Sequence, residues 1–139
     1  MLAAELCRQG WEPESIGLWE AGRGPGGRTA TRRSRSNANL RIDHGANLFN
    51  MRETPYPWVL KPLLEQGWVE PWLEPTAVID ATGRLAEGSG RDPLFQGDLF
   101  HGRQGMEHLC MGLLHRAGGE ISTTFNTLVR DVERHQDRW

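Results

Sequence analysis

The fold of this chain is decided by residues 16–28, which read IGLWEAGRGPGGR. Residues 16–19 are apolar and lie between turn signals, a pattern typical of a short buried strand. Four glycines and one proline then fall within residues 21–28, so no regular element can continue there. The stretch therefore predicts a strand that ends at an acid, Glu20, and passes directly into a glycine-rich loop.

This order of chemical groups has a specific use in dinucleotide-binding α/β folds. An acid at the end of the second strand accepts hydrogen bonds from the hydroxyls of the adenosine ribose. Glycines let backbone amides approach a pyrophosphate, and arginine offers it a planar, permanently charged donor. Glu20 is thus predicted to bind the ribose, and the turn of Gly26, Gly27 and Arg28 the pyrophosphate. Residues 1–10 would form the helix before this strand.

Four segments of the chain carry a resemblance to a known family. Residues 20–29, EAGRGPGGRT, resemble the Gly-Gly-Arg motif of FAD-dependent amine-oxidase-like flavoproteins, in particular the renalase-like oxidoreductases. Residues 43–48, DHGANL, are similar to the acid-x-Gly-Ala segment of that family. In that family the chain later returns to the FAD domain. Two features here resemble that return: residues 104–106 at the start of a helix, and Thr127 with Val129 further on. The matches occur in the family's order and cover nearly the whole chain.

The resemblance implies FAD as the cofactor and a small molecule as the substrate. The implied reaction is hydride transfer to FAD from a small amine or from a reduced dinucleotide. Because the isoalloxazine carries the redox chemistry, no catalytic side chain is assigned. The family implies that residues 45–48 run beside the isoalloxazine and that Val129 meets the adenine through its backbone. The predicted cofactor-binding residues are Glu20, Gly26, Gly27, Arg28, Gly45, Ala46, Asn47, Leu48 and Val129.

The predicted fold class is α/β: a partial FAD-binding Rossmann-like domain with the start of an inserted mixed α+β substrate domain. The resemblance assigns residues 1–49 to the first part of the FAD-binding domain and residues 50–103 to the substrate domain. Residues 104–139 are assigned to the segment that returns to the FAD-binding domain. Apolar spacing predicts helices at 2–7 and 104–116 and helical turns within 55–66. It predicts strands at 16–19, 69–74, 76–79, 120–125 and 128–133. A turn at 80–83 is predicted to lead into a further strand around 84–85. Residues 86–105 are glycine-rich and receive no assignment.

Composition excludes several other classes of protein. The 139 residues are 37% hydrophobic and 24% charged, which is typical of a globular chain. No apolar run approaches the roughly 20 residues of a membrane helix, and the first residues lack the pattern of a secretion signal. Two cysteines are too few for a disulfide framework, so we expect a cytoplasmic protein.

Three histidines recur every seven residues, at His101, His108 and His115. A seven-residue step along a helix is about 10.5 Å, too long for two ligands of one ion that each lie about 2 Å from it. No metal site is predicted.

Charge is distributed unevenly along the chain. Residues 22–52 hold seven arginines and one acid, a net +6, whereas the whole chain carries −2, so the remainder carries −8. An arginine-rich glycine loop is also compatible with a non-catalytic anion- or nucleotide-binding module. No nucleic-acid partner is expected, because aromatic residues are not interleaved with the arginines.

One part of the family pattern has no counterpart in the chain. The family's first strand and its G-x-G-x-x-G turn would precede Met1, and that turn presents a helix N-terminus to the pyrophosphate. We therefore expect a truncated, inactive polypeptide that binds FAD weakly or not at all when alone. A nonfunctional remnant is a third alternative.

Overall fold

The computed structural model describes residues 2–54, 57–85, 96–118 and 121–136 of the chain. Three α-helices lie within these residues: α1, Leu2–Arg8; α2, Leu60–Glu65; and α3, Glu107–Arg116. The strands described there are β1, Gly17–Trp19; β2, Thr31–Arg33; β3, Arg41–Asp43; β4, Phe49–Met51; β5, Val69–Pro71; β6, Asp98–Gly102; and β7, Ser122–Thr124. Short 3-10 turns occur at Pro13–Ser15 and Gly27–Thr29.

The strands form three small sheets. β1 and β7 pair in parallel, with Leu18 opposite Thr123. β2 and β3 form an antiparallel hairpin, with Arg32 opposite Ile42. β6 lies between β4 and β5 and is antiparallel to both. Parallel and antiparallel pairs together with helices make the chain a mixed α/β fold, which confirms the predicted class.

Two hydrophobic clusters hold these elements together, and α3 contributes to both. The first cluster packs α1 against the start of β1 and the end of α3, through Ala3, Ala4, Ile16 and Ala117. The second packs α2 against the three-stranded sheet, through Leu60, Leu63, Val69 and Phe100. Leu109 and Leu113 of α3 pack against this second cluster. The amphipathic stripe read from the sequence of α3 is therefore its core-facing side.

Glycines end two of the helices, as the sequence predicts. Gly10 follows α1 with φ +94°, and the amide of Trp11 donates to the Leu6 carbonyl at 3.1 Å. Gly118 follows α3 with φ +108°. Both positions lie in the left-handed region that favours glycine, where a helix commonly terminates. The predicted helix at 104–116 is confirmed, although α3 begins only at Glu107.

Two predicted strands are wrong. Residues 128–133 form no strand, and Leu128, Val129 and Val132 are 51–62% exposed. Residues 76–79 form no strand either, because only Ile79 pairs, in an isolated bridge with Leu85 across the predicted turn. Apolar alternation favours a strand only where a neighbouring strand supplies hydrogen bonds, and neither segment has such a neighbour among the described residues.

Other strands were not predicted or are shorter than predicted. The arginine-rich hairpin of β2 and β3 was not predicted from the sequence, and β6 lies in the stretch that received no assignment. β5 covers only the first half of the strand predicted at 69–74, whereas α2 confirms the helical turns predicted within 55–66. Residues 55–56, 86–95, 119–120 and 137–139, on which parts of these predictions fall, lie outside the described residues.

Across the described ranges, no helix has the length and apolar character needed to cross a bilayer. The longest of these helices, α3, has 10 residues.

Candidate functional site

Glu20 lies immediately beyond the carboxyl end of β1, where β7 also ends. Its backbone amide donates to the Thr124 carbonyl at 2.9 Å, and its carbonyl accepts from the amide of Thr127 at 3.0 Å. The side-chain Oε1 accepts from the amide of Gly22 at 2.6 Å. The other carboxylate oxygen, Oε2, has no hydrogen-bond partner among the described residues. The carboxylate is thus held by the loop and retains one oxygen for a ligand.

The glycine loop turns sharply at Gly26 and Gly27, whose φ angles are +131° and +52°. The Gly26 carbonyl accepts two hydrogen bonds of 2.8 Å from Thr29, one from its amide and one from its hydroxyl. No atom lies within 4 Å of the position that a Cβ would take on Gly24 or Gly27. The loop is therefore fixed by its own backbone and faces open space at these two glycines.

The two motif segments predicted to contact the cofactor touch each other. The amide of Ala46 donates to the Arg28 carbonyl at 2.8 Å. A Cβ placed on Gly45 would lie 1.9 Å from the same carbonyl oxygen, a distance that no real Cβ can occupy. Only glycine at position 45 allows the chain to pass this close to Arg28.

A cavity of about 270 Å³ opens beside this loop. Glu20 and Gly26 line one side, and the other walls include the apolar side chains of Trp19, Leu113 and Phe125. Ligand pockets usually hold about 300–1,000 Å³, so this volume suits one part of a dinucleotide and not the whole molecule. An apolar cavity with a carboxylate at its edge resembles the kind of space that an adenosine occupies.

The structure does not bring every predicted site residue to this cavity. Of the nine predicted residues, Glu20 and Gly26 line it, and the other seven are absent from its lining: Gly27, Arg28, Gly45, Ala46, Asn47, Leu48 and Val129. Val129 is 51% exposed and lies two residues beyond Thr127, which pairs with Glu20. Leu48 is half-buried and Asn47 is exposed. The predicted residues therefore form two adjoining groups, one around Glu20 and one around Arg28.

Arginine side chains near the loop divide into paired and unpaired ones. Arg33 forms an ion pair with Glu107, and Arg41 donates from Nη1 to the carbonyl and side-chain oxygens of Gln104 at 3.1 and 2.9 Å. Arg28, like Arg23, Arg32 and Arg35, makes no side-chain hydrogen bond or ion pair with the described residues. Arg28 is exposed and its charge remains available to an anion.

Two functional contacts were missed by sequence reasoning. Asp43, identified only as part of a motif, accepts hydrogen bonds through Oδ1 from the Thr31 hydroxyl and the Met106 amide. Thr29, besides bonding Gly26, lies with its Oγ1 3.2 Å from the sulfur of Cys110 on α3. Since the Thr29 hydroxyl hydrogen is donated to Gly26, the thiol must donate to Thr29. Met106 lies 63 residues from Asp43, and Cys110 lies 81 residues from Thr29, so no local pattern signals these two contacts.

Comparison with known families agrees with this geometry. Residues 1–65, just under half of the chain, match a family described as an NAD(P)-binding Rossmann-like domain. No curated protein matches the chain. The matched segment includes α1, β1, the glycine loop and the Gly45–Ala46 contact.

The fold and the match together point to a class. Residues 1–65 are similar to a Rossmann-like NAD(P)-binding domain, which suggests nucleotide binding of the oxidoreductase type and implies a dinucleotide as the class of cofactor. The carboxyl end of a parallel strand followed by a glycine loop is where such folds bind the adenosine and pyrophosphate of their ligand. The candidate site occupies that position.

Proposed function

We propose that the chain forms the cofactor-binding region of an FAD-dependent oxidoreductase similar to amine oxidases and renalase-like enzymes. Its reaction would be hydride transfer to FAD from a small amine or a reduced dinucleotide. The observation that carries the proposal is the placement of Glu20, which lies at the end of a parallel strand, beside a left-handed glycine turn and a cavity. The choice of FAD over NAD(P) is supported by the resemblance of residues 43–48 to the flavoprotein family.

Glu20 would bind the adenosine ribose. Its Oε1 is engaged by the Gly22 amide, which leaves Oε2 to accept a hydrogen bond from a ribose hydroxyl. A carboxylate makes stronger hydrogen bonds than a neutral acceptor, and the fixed carboxylate loses little freedom on binding. Val129 would contact the adenine through its backbone, next to the Thr127–Glu20 hydrogen bond.

The pyrophosphate would lie against the glycine loop. The residues fit a diphosphate, because the space beside Gly24 and Gly27 is open and a Cβ there would occupy it. The φ angles at Gly26 and Gly27 are both positive, and left-handed residues are found in loops whose successive backbone amides bind an anion. The unpaired guanidinium of Arg28 supplies charge and two parallel donors.

Residues 45–48 would pass beside the flavin ring. When bound, the isoalloxazine accepts a hydride from the substrate and passes its electrons to an acceptor. The chain's own contribution is to orient the cofactor through the contact between Ala46 and the Arg28 carbonyl. This contact couples the pyrophosphate loop to the segment expected at the ring.

Titration with FAD, followed by flavin fluorescence, tests the proposal. We expect the chain to bind FAD with a Kd weaker than about 1 μM, and Glu20→Gln to weaken binding about tenfold, because it removes the charge and keeps the size. Glu12→Gln is the matched control, since Glu12 is exposed and its side chain makes no contact with the described residues. Equal affinities for E20Q and the unsubstituted chain would contradict the assignment of Glu20.

A second titration separates the proposal from the anion-binding alternative. Inorganic pyrophosphate should compete with FAD only weakly, because it lacks the adenosine that Glu20 binds. Arg28→Gln should weaken both ligands, whereas Arg35→Gln, a control that removes another unpaired arginine, should affect neither. If pyrophosphate displaces FAD at equal concentration, and Glu20→Gln does not change the affinity for FAD, the result would favour a simple anion-binding module.

A further inference from the structure

We propose that Asp43 is a positioning residue of the dinucleotide site, acting through Gly45 and Ala46 on the Arg28 peptide. The inference rests on the proposed function for its consequence in binding, but the contacts that carry it belong to the chain alone. Asp43 is half-buried at the end of β3, two residues before Gly45. Its carboxylate therefore fixes the point from which the Gly45–Ala46 segment departs.

The Asp43 carboxylate is held from two sides. Its Oδ1 accepts from the Thr31 hydroxyl at 2.5 Å and from the Met106 amide at 3.0 Å. Thr31 stands directly opposite Asp43 in the hairpin of β2 and β3. Met106 precedes the first residue of α3, where backbone amides lack partners within the helix. A negative charge is stabilised at that end of a helix by its dipole.

Thr31 extends the same network to a second amide of α3. Its hydroxyl hydrogen is donated to Asp43, and its oxygen accepts from the Glu107 amide at 3.2 Å. A Cβ on Gly105 would lie 2.5 Å from Thr31 Oγ1, so the chain before α3 also packs closely on this threonine. The hairpin is thus fastened to the start of α3 by a carboxylate and a hydroxyl that share one hydrogen bond.

The ion pair of Arg33 with Glu107, and the bonds of Arg41 to Gln104, lie on the same side of the hairpin. Four hairpin residues, two on each strand, therefore contact residues 104–107. The opposite side, with Arg32 and Ile42, is exposed. The hairpin can change its tilt against α3 only by breaking the Asp43 network, because the arginine contacts are exposed and flexible.

A change in that tilt would be transmitted to the cofactor loop. Only His44 separates Asp43 from Gly45, whose backbone fits against the Arg28 carbonyl without room for a Cβ. Contacts this close tolerate little displacement, so the Arg28 peptide must follow the position of Gly45. Asp43 thereby positions the pyrophosphate loop without touching the ligand.

Hydrogen exchange of the Ala46 amide tests the inference in the chain without ligand. This amide reports the Ala46–Arg28 hydrogen bond directly. We expect Asp43→Ala and Thr31→Val to lower its protection at least about tenfold, and Thr31→Ser, which keeps the hydroxyl, to restore it. Thr76→Val is the matched control, because Thr76 is exposed and makes no contact with the described residues.

Two outcomes would overturn the inference. One is unchanged Ala46 protection in Thr31→Val, even where the melting temperature falls, because Asp43 and Thr31 would then serve stability alone. The other is an equal loss of Ala46 protection in Thr31→Ser and Thr31→Val, which would show that the Thr31 hydroxyl does not position this segment. Should Asp43→Ala fail to fold, the three threonine variants still decide the matter.

FAD affinity distinguishes this inference from the proposed function. If both hold, Thr31→Val should weaken FAD binding about tenfold and Thr31→Ser should leave it unchanged. If Glu20→Gln binds FAD as tightly as the unsubstituted chain while Ala46 protection still follows the threonine hydroxyl, the proposed function fails and the positioning role stands. Normal FAD affinity in Thr31→Val with lost Ala46 protection would show that the contact does not position the site.

Discussion

Gly45 is the residue at which the two cofactor segments come closest. Its backbone lies against the Arg28 carbonyl at a distance that excludes any side chain. The amide of the next residue, Ala46, bonds to the same oxygen. The need for glycine here comes from this close approach and not from its φ angle.

Gly45→Ala should therefore destabilise the chain and disturb the loop. We expect a loss of at least about 2 kcal/mol in the free energy of unfolding, because the new methyl must displace backbone atoms. Denaturation in urea measures the loss. Gly24→Ala is the control, since nothing lies within 4 Å of its Cβ position, and it should change stability by less than about 0.5 kcal/mol. Equal stability of the two variants would contradict the close approach.

Residue-scale prediction from sequence succeeds for local chemistry and fails for distant partners. Glu20 and the glycine turn were recognised because the strand end, the acid and the glycines follow one another directly in the sequence. Asp43 was recognised only as a motif residue, because its partner Met106 lies 63 positions away. The hydrogen bonds of Asp43 with Thr31 and Met106 are visible only in the structure, because nothing in residues 43–48 signals them.

At the scale of elements, α3 packs closely against α2 and Trp68, and Gly112 lies at the point of contact. A Cβ there would lie 2.6 Å from Cγ of Trp68 and 2.7 Å from Cδ2 of Leu63. Glycine in a helix interior normally costs about 1 kcal/mol relative to alanine. The approach of α2 and the Trp68 ring reverses this preference.

Gly112→Ala should consequently lower stability by about 1–3 kcal/mol, despite the better helix propensity of alanine. Thermal and urea unfolding would measure this loss. Met111→Ala provides a control on the neighbouring exposed position of the same helix and should be nearly neutral. A stabilised Gly112→Ala variant would mean that α3 lies further from Trp68 than described.

The charges of α1 give a prediction on pH. Hydrogen bonds from Arg8, and secondly from Gln9, lower the pKa of the Glu5 carboxyl to about 2 from its ordinary 4.5. Arg8 meets it with two donors, at 2.5 and 2.8 Å. Because the folded-state pKa is lowered, the contribution of this pair is complete above pH 4.5 and is lost as the pH falls toward 2.

Titration of the Glu5 carboxyl carbon by NMR should give a midpoint near 2. Arg8→Met should raise the pKa toward the ordinary value, because the first and largest cause of the shift is removed. Arg130→Met, at an exposed arginine without contacts among the described residues, should leave the midpoint unchanged. A Glu5 pKa near 4.5 in the unsubstituted chain would refute the two-donor contact.

Prediction of elements from sequence was accurate where periodicity and burial coincide. α1 and α3 were located because apolar residues in each, such as Ala3 and Ala4 of α1 and Leu109 and Leu113 of α3, belong to or pack against the hydrophobic clusters. The segment at 128–133 has the same apolar alternation, yet Val129 and Val132 are exposed. A strand needs a partner edge, and partner edges are set by the fold of the whole chain.

On the scale of the whole molecule, Trp58 joins α1 to α3. The guanidinium of Arg8 lies 5.7 Å from the centre of its ring, and that of Arg116 lies 5.4 Å away. Arg8 belongs to α1, Arg116 belongs to α3, and Trp58 lies in the segment before α2. Two cations on one indole therefore link the first hydrophobic cluster to the elements of the second.

Trp58→Ala should cost about 1–2 kcal/mol, since each cation–π contact at an exposed site is worth about 0.5–1 kcal/mol. Trp11→Ala is the control, because Trp11 is 56% exposed and its ring makes no such contact. Urea unfolding of the two variants measures the difference. Equal stabilities would show that the ring does not connect the helices.

The whole-molecule account depends on Glu20 and the glycine loop binding the adenosine diphosphate end of a dinucleotide. The parallel strand end and the match of residues 1–65 to a Rossmann-like NAD(P)-binding domain support this account. The domain boundaries at 49 and 103, and the contact of residues 47–48 with a flavin, remain predictions from the resemblance. No local pattern of the sequence identifies the substrate.

Mapping of FAD binding by amide chemical shifts is the most direct test of this central claim. On titration to millimolar FAD, we predict shifts at Glu20, at residues 22–28 and at residues 126–129, with the largest changes at Gly26 and Gly27. Glu20→Gln should reduce the shifts at 126–129 more than those at the glycines. Shifts confined to the three-stranded sheet of β4, β5 and β6, with none at Glu20 or at residues 22–28, would contradict the account.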